Sequence, residues 1–173
     1  MNGTVCFNHG KESGPWGDKI TRLAEVARRH NYAIESVDYT GIMDAEARVQ
    51  KLLNTDSARI RPLILVGSSM GSYVAAVASA SLRPLGLFLL APAFYLPDFP
   101  VQEPIPHAAH LTLVHGWKDD LIPPENSIRY ARRFDATLHL VDSDHRLSSQ
   151  LSLIEHLFDA FLYQIKSTNV EQA

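Results

Sequence analysis

The stretch "LILVGSSMGSYVAAVASA", Leu63 to Ala80, holds two adjacent serines inside one G-x-S-x-G pattern, Gly67-Ser68-Ser69-Met70-Gly71. The pattern centres on Ser69, not Ser68. Such spacing suits a strand-to-helix turn so sharp that the central side chain projects outward. Side chains two residues to either side would meet neighbouring backbone, which is why glycine is wanted at both places. A serine hydroxyl is a poor nucleophile near neutral pH and needs a base, usually a histidine oriented by a carboxylate. For this kind of turn the chain order is serine, acid, histidine. Downstream lie two acids in "LVHGWKDDLIPP", Asp119 and Asp120, and then His145 in "LVDSDHRLSS". A small-residue turn with an idle serine, or a phosphate-binding turn at a helix N-terminus, would carry the same local spacing. No G-x-x-x-x-G-K-[ST] or G-x-G-x-x-G pattern supports a nucleotide.

The elements that must position these residues alternate along the chain. "TVCFN", "AIESVDY", "PLILVG", "LGLFLLA", "HLTLVHG" and "ATLHLVD" read as strands. Between them "DKITRLAEVARRH", "DAEARVQKLL", a segment from Met70 and "PENSIRYARRF" read as helices. Pro123 and Pro124 suit a helix start. A last helix is expected to carry Leu147, Leu151, Ile154, Phe158, Phe161 and Ile165 on one stripe. This alternation predicts an α/β fold: three layers, with a mostly parallel sheet between helices. Ser69, the acids and His145 all follow strands, at the edge where the chemistry of such sheets lies.

With "NHG" after the first strand, "GSSMG", "HGWKDDLIP" and "SDHR", the sequence resembles the α/β-hydrolase superfamily over most of its length. The resemblance implies a compact serine hydrolase with six strands in the order 2-1-3-4-5-6, opening at the "HG" strand. It implies a Ser69–Asp119–His145 triad, because Gly116, Asp119, Ile122 and Pro123 fit the superfamily's G-x-x-D-x-x-[VI]-P pattern. One of the two acids is also a candidate cap for the following helix. It further implies an oxyanion hole from two backbone N–H groups, that of Met70 and one in "HGKESGPWG", with Lys11 as the candidate. The segment Pro92 to His110, with five prolines, is too short for a substantial lid. In it Phe94, Tyr95, Leu96 and Phe99 either wall a substrate pocket or cap the core. The implied activity is cleavage of small carboxylic esters or thioesters through an acyl-enzyme. Amide cleavage and a non-catalytic binding domain are the alternatives, and a flavodoxin-like domain is a third.

Bulk properties narrow the rest. The 173 residues suit one domain over 1–166, followed by a polar tail over 167–173. A formal net charge of -3 and the absence of a basic run argue against a nucleic-acid partner; the resemblance implies a small-molecule acyl substrate. No apolar stretch is long enough for a membrane span, and "MNGTVCFNHG" has no signal-peptide character. The single cysteine, Cys6, suits a reducing compartment, so the cytoplasm is expected. No cofactor or metal is expected. His107 and His110 stand three apart, without nearby cysteines or an H-E-x-x-H pattern.

Overall fold

Strand β3, Leu63–Ser68, is apolar from Leu63 to Val66 because it is covered on both faces. Leu63 and Leu65 join one core cluster; Ile64 and Val66 join the other. The computed structural model describes residues 2–171. The other strands are β1 Thr4–Asn8, β2 Ala33–Val37, β4 Gly86–Leu90, β5 His110–Gly116 and β6 Thr137–Val141. All pair in parallel, in the order β2-β1-β3-β4-β5-β6 that the resemblance implies.

Helices α1, Asp18–Arg29, and α5, Leu151–Glu171, cover one face. There Leu23, Val26, Phe158 and Leu162 bury against Val5, Phe7, Phe88 and Val114. Helices α2 Ala45–Leu53, α3 Met70–Leu82 and α4 Pro124–Phe134 cover the other. There Leu52, Tyr73, Val74 and Tyr130 pack on Cys6, Leu65, Leu89 and Leu113. Each fully buried Leu, Val or Phe contributes about 1.5–3 kcal/mol of transfer free energy. The period-2 alternation of strand side chains thus fixes which helix lies on which face. The order of strand addition reverses between β1 and β3, the two neighbours at the sheet's topological switch. A crevice forms outside the carboxyl ends of strands at such a point.

Three expected boundaries differ. β2 ends at Val37 rather than running on to Tyr39, because the Tyr39 N–H donates to His9 Nε2 at 2.9 Å instead of to a strand. The last helix begins at Leu151, after a 3-10 turn over Ser148–Gln150; Leu147 sits before it in the left-handed region (φ 62°) yet is fully buried. At the other end α5 continues past Lys166 to Glu171, where a polar tail was expected. In this last stretch the hydroxyls of Ser167 and Thr168 donate back to the carbonyls of Tyr163 and Gln164. The tail's last two residues lie outside the described ones.

Candidate active site

The turn at Ser69 is as tight as the glycines require. Ser69 has φ 55° and ψ −117°, a conformation that costs a non-glycine residue about 1–3 kcal/mol. Its N–H donates to the Leu90 carbonyl at 2.8 Å, and its carbonyl accepts from Ser72 N–H at 3.0 Å and Ala93 N–H at 3.3 Å. A Cβ at Gly67 would stand 2.4 Å from Ser72 Cα, and one at Gly71 would stand 1.9 Å from the Asn8 carbonyl oxygen. These contacts clamp the start of α3 against the ends of β1 and β4. The side chain of Ser69 is left half-buried at the crevice.

The structure brings Ser69, His145 and Asp119 together. His145 Nε2 lies 3.0 Å from Ser69 Oγ, and His145 Nδ1 lies 2.7 Å from Asp119 Oδ2. With Nδ1–H donated to the carboxylate, Nε2 faces the hydroxyl as an acceptor. Ser68 is turned elsewhere: its Oγ accepts from Lys19 Nζ at 3.1 Å. Of the two acids, Asp119 has a fully buried side chain, whereas Asp120 is exposed. Neither caps α4, whose N-cap is Pro123 with no side-chain bond. Asp119 Oδ1 instead accepts from the N–H groups of Leu121 at 3.0 Å and Ile122 at 2.8 Å, shaping the turn ahead of the helix. Burial pushes the Asp119 carboxyl up, but the Ile122 N–H and His145 bonds outweigh it and hold it below the ordinary carboxylate value. The loops after β5 and β6 press together, since a Cβ at Gly116 would lie 2.2 Å from the Ser143 carbonyl oxygen. Lys118 N–H reaches that carbonyl at 3.0 Å, and Asp144 Oδ1 accepts from Arg146 and Leu147 N–H groups around His145.

The two proposed oxyanion donors flank this crevice. Met70 opens α3, where the first N–H groups lack intrahelical partners and the dipole favours negative charge. The Lys11 loop adjoins the turn, for a Cβ at Gly10 would stand 3.7 Å from Ser69 Cβ. The expected aromatic wall is partly corrected. Phe94 is fully buried in the core, its ring 4.2 Å from that of Tyr130. Its apolar area is spent in the core rather than on a pocket wall. Tyr95 and Leu96 are half-buried and remain wall candidates, Tyr95 being held by its hydroxyl bond to Glu103 and by Arg129, 4.0 Å over its ring. The segment that contains them forms neither helix nor strand between β4 and β5.

Three polar residues were not singled out by sequence reasoning. His115, inside "LVHG", is fully buried; its Nε2–H points between Asp119 Oδ2 (2.9 Å) and the Ile122 carbonyl (3.0 Å), and Ser127 Oγ donates to its Nδ1 at 2.7 Å. Burial holds its pKa below the ordinary histidine value. Lys19 Nζ sits beside the turn, where burial pulls the ammonium down to about 8 against the attraction of Asp144 and Asp119. Arg48 is buried behind the "HG" loop. His115 stands in a quoted motif and was within reach of inspection; the helical positions of Lys19 and Arg48 give no local signal. Among the described residues no group of three or more His, Cys, Asp or Glu is placed to hold a metal ion. His107 Nδ1 bonds the Ile105 carbonyl.

No family model and no curated protein matches the chain. Solved structures do. A hydrolase-fold protein of the alpha/beta superfamily from Xanthomonas campestris pv. campestris is 35% identical, with a TM-score of 0.84 over 94% of this chain and 99% of that one. Est1E from Butyrivibrio proteoclasticus is 15% identical, with a TM-score of 0.77 over 95% of this chain and 88% of that one. A serine hydrolase without a lid, also from Xanthomonas campestris, is 20% identical, with a TM-score of 0.67 over 93% of this chain and 81% of that one. The last two share the fold; the first shares fold and sequence along nearly its whole length. On that match, this chain belongs to the α/β-hydrolase superfamily.

Proposed function

We propose that the chain is a serine hydrolase that cleaves small carboxylic esters or thioesters through an acyl-enzyme. The observation that carries this reading is the continuous relay from Ser69 Oγ through His145 to Asp119, at 3.0 and 2.7 Å. Ser69 Oγ attacks the acyl carbonyl as its proton passes to His145 Nε2, and Asp119 stabilises the imidazolium. The carbonyl oxygen becomes an anion facing the N–H groups of Met70 and Lys11. When the tetrahedral centre collapses, the bond to the leaving group breaks and His145 returns the proton to it. Water, deprotonated by the same histidine, then attacks the acyl-serine and frees the acid.

The site's openness supports a small substrate, since residues 92–109 add no helix over Ser69. Tyr95 and Leu96 are assigned to the acyl side of the pocket. The single cysteine, Cys6, is free and buried, which supports a protein at home in the cytoplasm. No described helix is long and apolar enough to cross a membrane.

A fluorophosphonate probe tests the chemistry. Wild-type protein should label at Ser69, Ser69→Ala should fold and remain unlabelled, and Ser68→Ala should label normally. Labelling lost in Ser68→Ala but kept in Ser69→Ala would overturn the assignment. A panel of short- to long-chain p-nitrophenyl esters and acyl-CoA thioesters then separates ester from thioester preference.

A further inference from the structure

Arg48 carries a full positive charge yet is only 1% exposed, and among the described residues no carboxylate lies within ion-pair distance of it. Burying an unpaired cation is costly unless its donors are well satisfied. Four of its five N–H donors go to main-chain carbonyls. Nη1 donates to the carbonyls of His9 at 3.2 Å and Gly10 at 3.1 Å, Nη2 donates to that of Lys11 at 3.2 Å, and Nε donates to that of Ile42 at 2.7 Å. The face of the guanidinium lies 5.1 Å from the centre of the Tyr39 ring.

Three consecutive carbonyls therefore converge on one side chain. In a trans peptide the N–H points opposite to the C=O. The carbonyls of His9, Gly10 and Lys11 belong to the same peptide units as the N–H groups of Gly10, Lys11 and Glu12. Those three N–H groups are accordingly driven to the other side of the loop, and none of them donates to a described acceptor. A backbone N–H left without a partner beside a nucleophile is suited to meet a developing anion. The loop that bears them lies against Ser69, as the 3.7 Å approach at Gly10 records.

A second donor acts on the same peptide. His9 Nε2 accepts from Tyr39 N–H, so its proton is on Nδ1, which donates to the Gly10 carbonyl at 2.8 Å. The Gly10 carbonyl thus receives both a guanidinium and an imidazole N–H. Polarising a carbonyl this way strengthens the donor at the other end of its peptide, here the N–H of Lys11.

We propose that Arg48 is a positioning residue for the oxyanion hole: by gathering the His9, Gly10 and Lys11 carbonyls it turns the opposite N–H groups, that of Lys11 foremost, toward the oxygen that becomes negative when Ser69 attacks. The inference rests on the acyl-transfer reading and deepens it. A cation is used because it binds three carbonyls at once from behind, where a neutral side chain offers at most two donors. Arg48 need not touch the substrate.

The test compares wild type, Arg48→Ala and Arg48→Lys on a matched ester and thionoester of one alcohol. Oxyanion donors favour developing O⁻ over S⁻, so a weakened hole slows the ester selectively. Arg48→Ala is expected to lower kcat for the ester by about 10- to 100-fold, less than or near the loss of a direct donor, with KM little changed. The ester-to-thionoester rate ratio should fall with it, and added guanidinium ion at low millimolar concentration should restore part of both. Arg48→Lys keeps the charge but not the three-carbonyl fork; it should also show a reduced ratio, and it carries the test if the alanine variant does not fold. An unchanged ratio in the folded variants, with both substrates slowed equally or neither slowed, would overturn the proposal. Absence of fluorophosphonate labelling of wild-type Ser69 would instead overturn the acyl-transfer reading itself.

Discussion

His115 donates its Nε2–H to Asp119 Oδ2 at 2.9 Å, the same oxygen that receives His145 Nδ1–H at 2.7 Å. With the Leu121 and Ile122 N–H groups on Oδ1, the carboxylate accepts from four directions while its side chain is wholly buried. Its two oxygens are thereby fixed, and so is the imidazole they orient. A carboxylate held by several donors stays ionised despite burial.

Asp119→Asn should lower kcat by about 10³- to 10⁴-fold, because an amide cannot hold His145 in the tautomer that accepts the serine proton. Asp120→Asn, at an exposed position, should leave kcat within about twofold. Steady-state kinetics on a p-nitrophenyl ester decides between them, and a greater loss in the Asp120 variant would reverse the assignment.

His115→Phe should destabilise the fold by about 1–3 kcal/mol, since Ser127 and the Ile122 carbonyl lose a buried partner. It should also change the pH dependence. Burial, acting against the attraction of Asp119, holds the His115 pKa below 6.5 in the folded protein. The unfolded chain therefore takes up this proton first. The stabilisation is complete above about pH 6.5 and is lost as pH falls through the depressed folded value. Urea unfolding at a series of pH values should show a shallower acid decline in the variant than in wild type. Identical slopes would show that His115 titrates alike in both states.

Gly71→Ala should cost about 3 kcal/mol or more, because a methyl group there meets the Asn8 carbonyl oxygen at 1.9 Å and backbone has to move. Gly14→Ala is the control, with nothing within 4 Å of the added carbon and an expected change within about 0.5 kcal/mol. Denaturation midpoints measure both. A folded, fully active Gly71→Ala protein would mean that the turn at Ser69 tolerates opening.

Strand and helix periodicity made the architecture readable, since in a parallel sheet each strand is a short apolar run and each helix an amphipathic one. β5, for instance, has the bounds read from "HLTLVHG". The errors fall where tertiary bonds compete with local preference. Tyr39 leaves β2 for the His9 ring, and Leu147 leaves the helical stripe for a left-handed turn while keeping its place in the core. Phe94 could not be assigned to wall or core from its type, because both environments are apolar.

By itself the sequence determined the chemical types present, their order, and the strand ends to which they belong; local periodicity and glycine spacing encode these over a few residues. Only the tertiary structure decided that Ser68 faces Lys19 while Ser69 faces His145, that Asp119 is shared by two histidines, and that Arg48 sits behind the His9–Lys11 loop. Those relations join residues 4 to 76 positions apart. They arise from the direction of side chains and peptide planes once the sheet is closed, which no local stretch of sequence specifies.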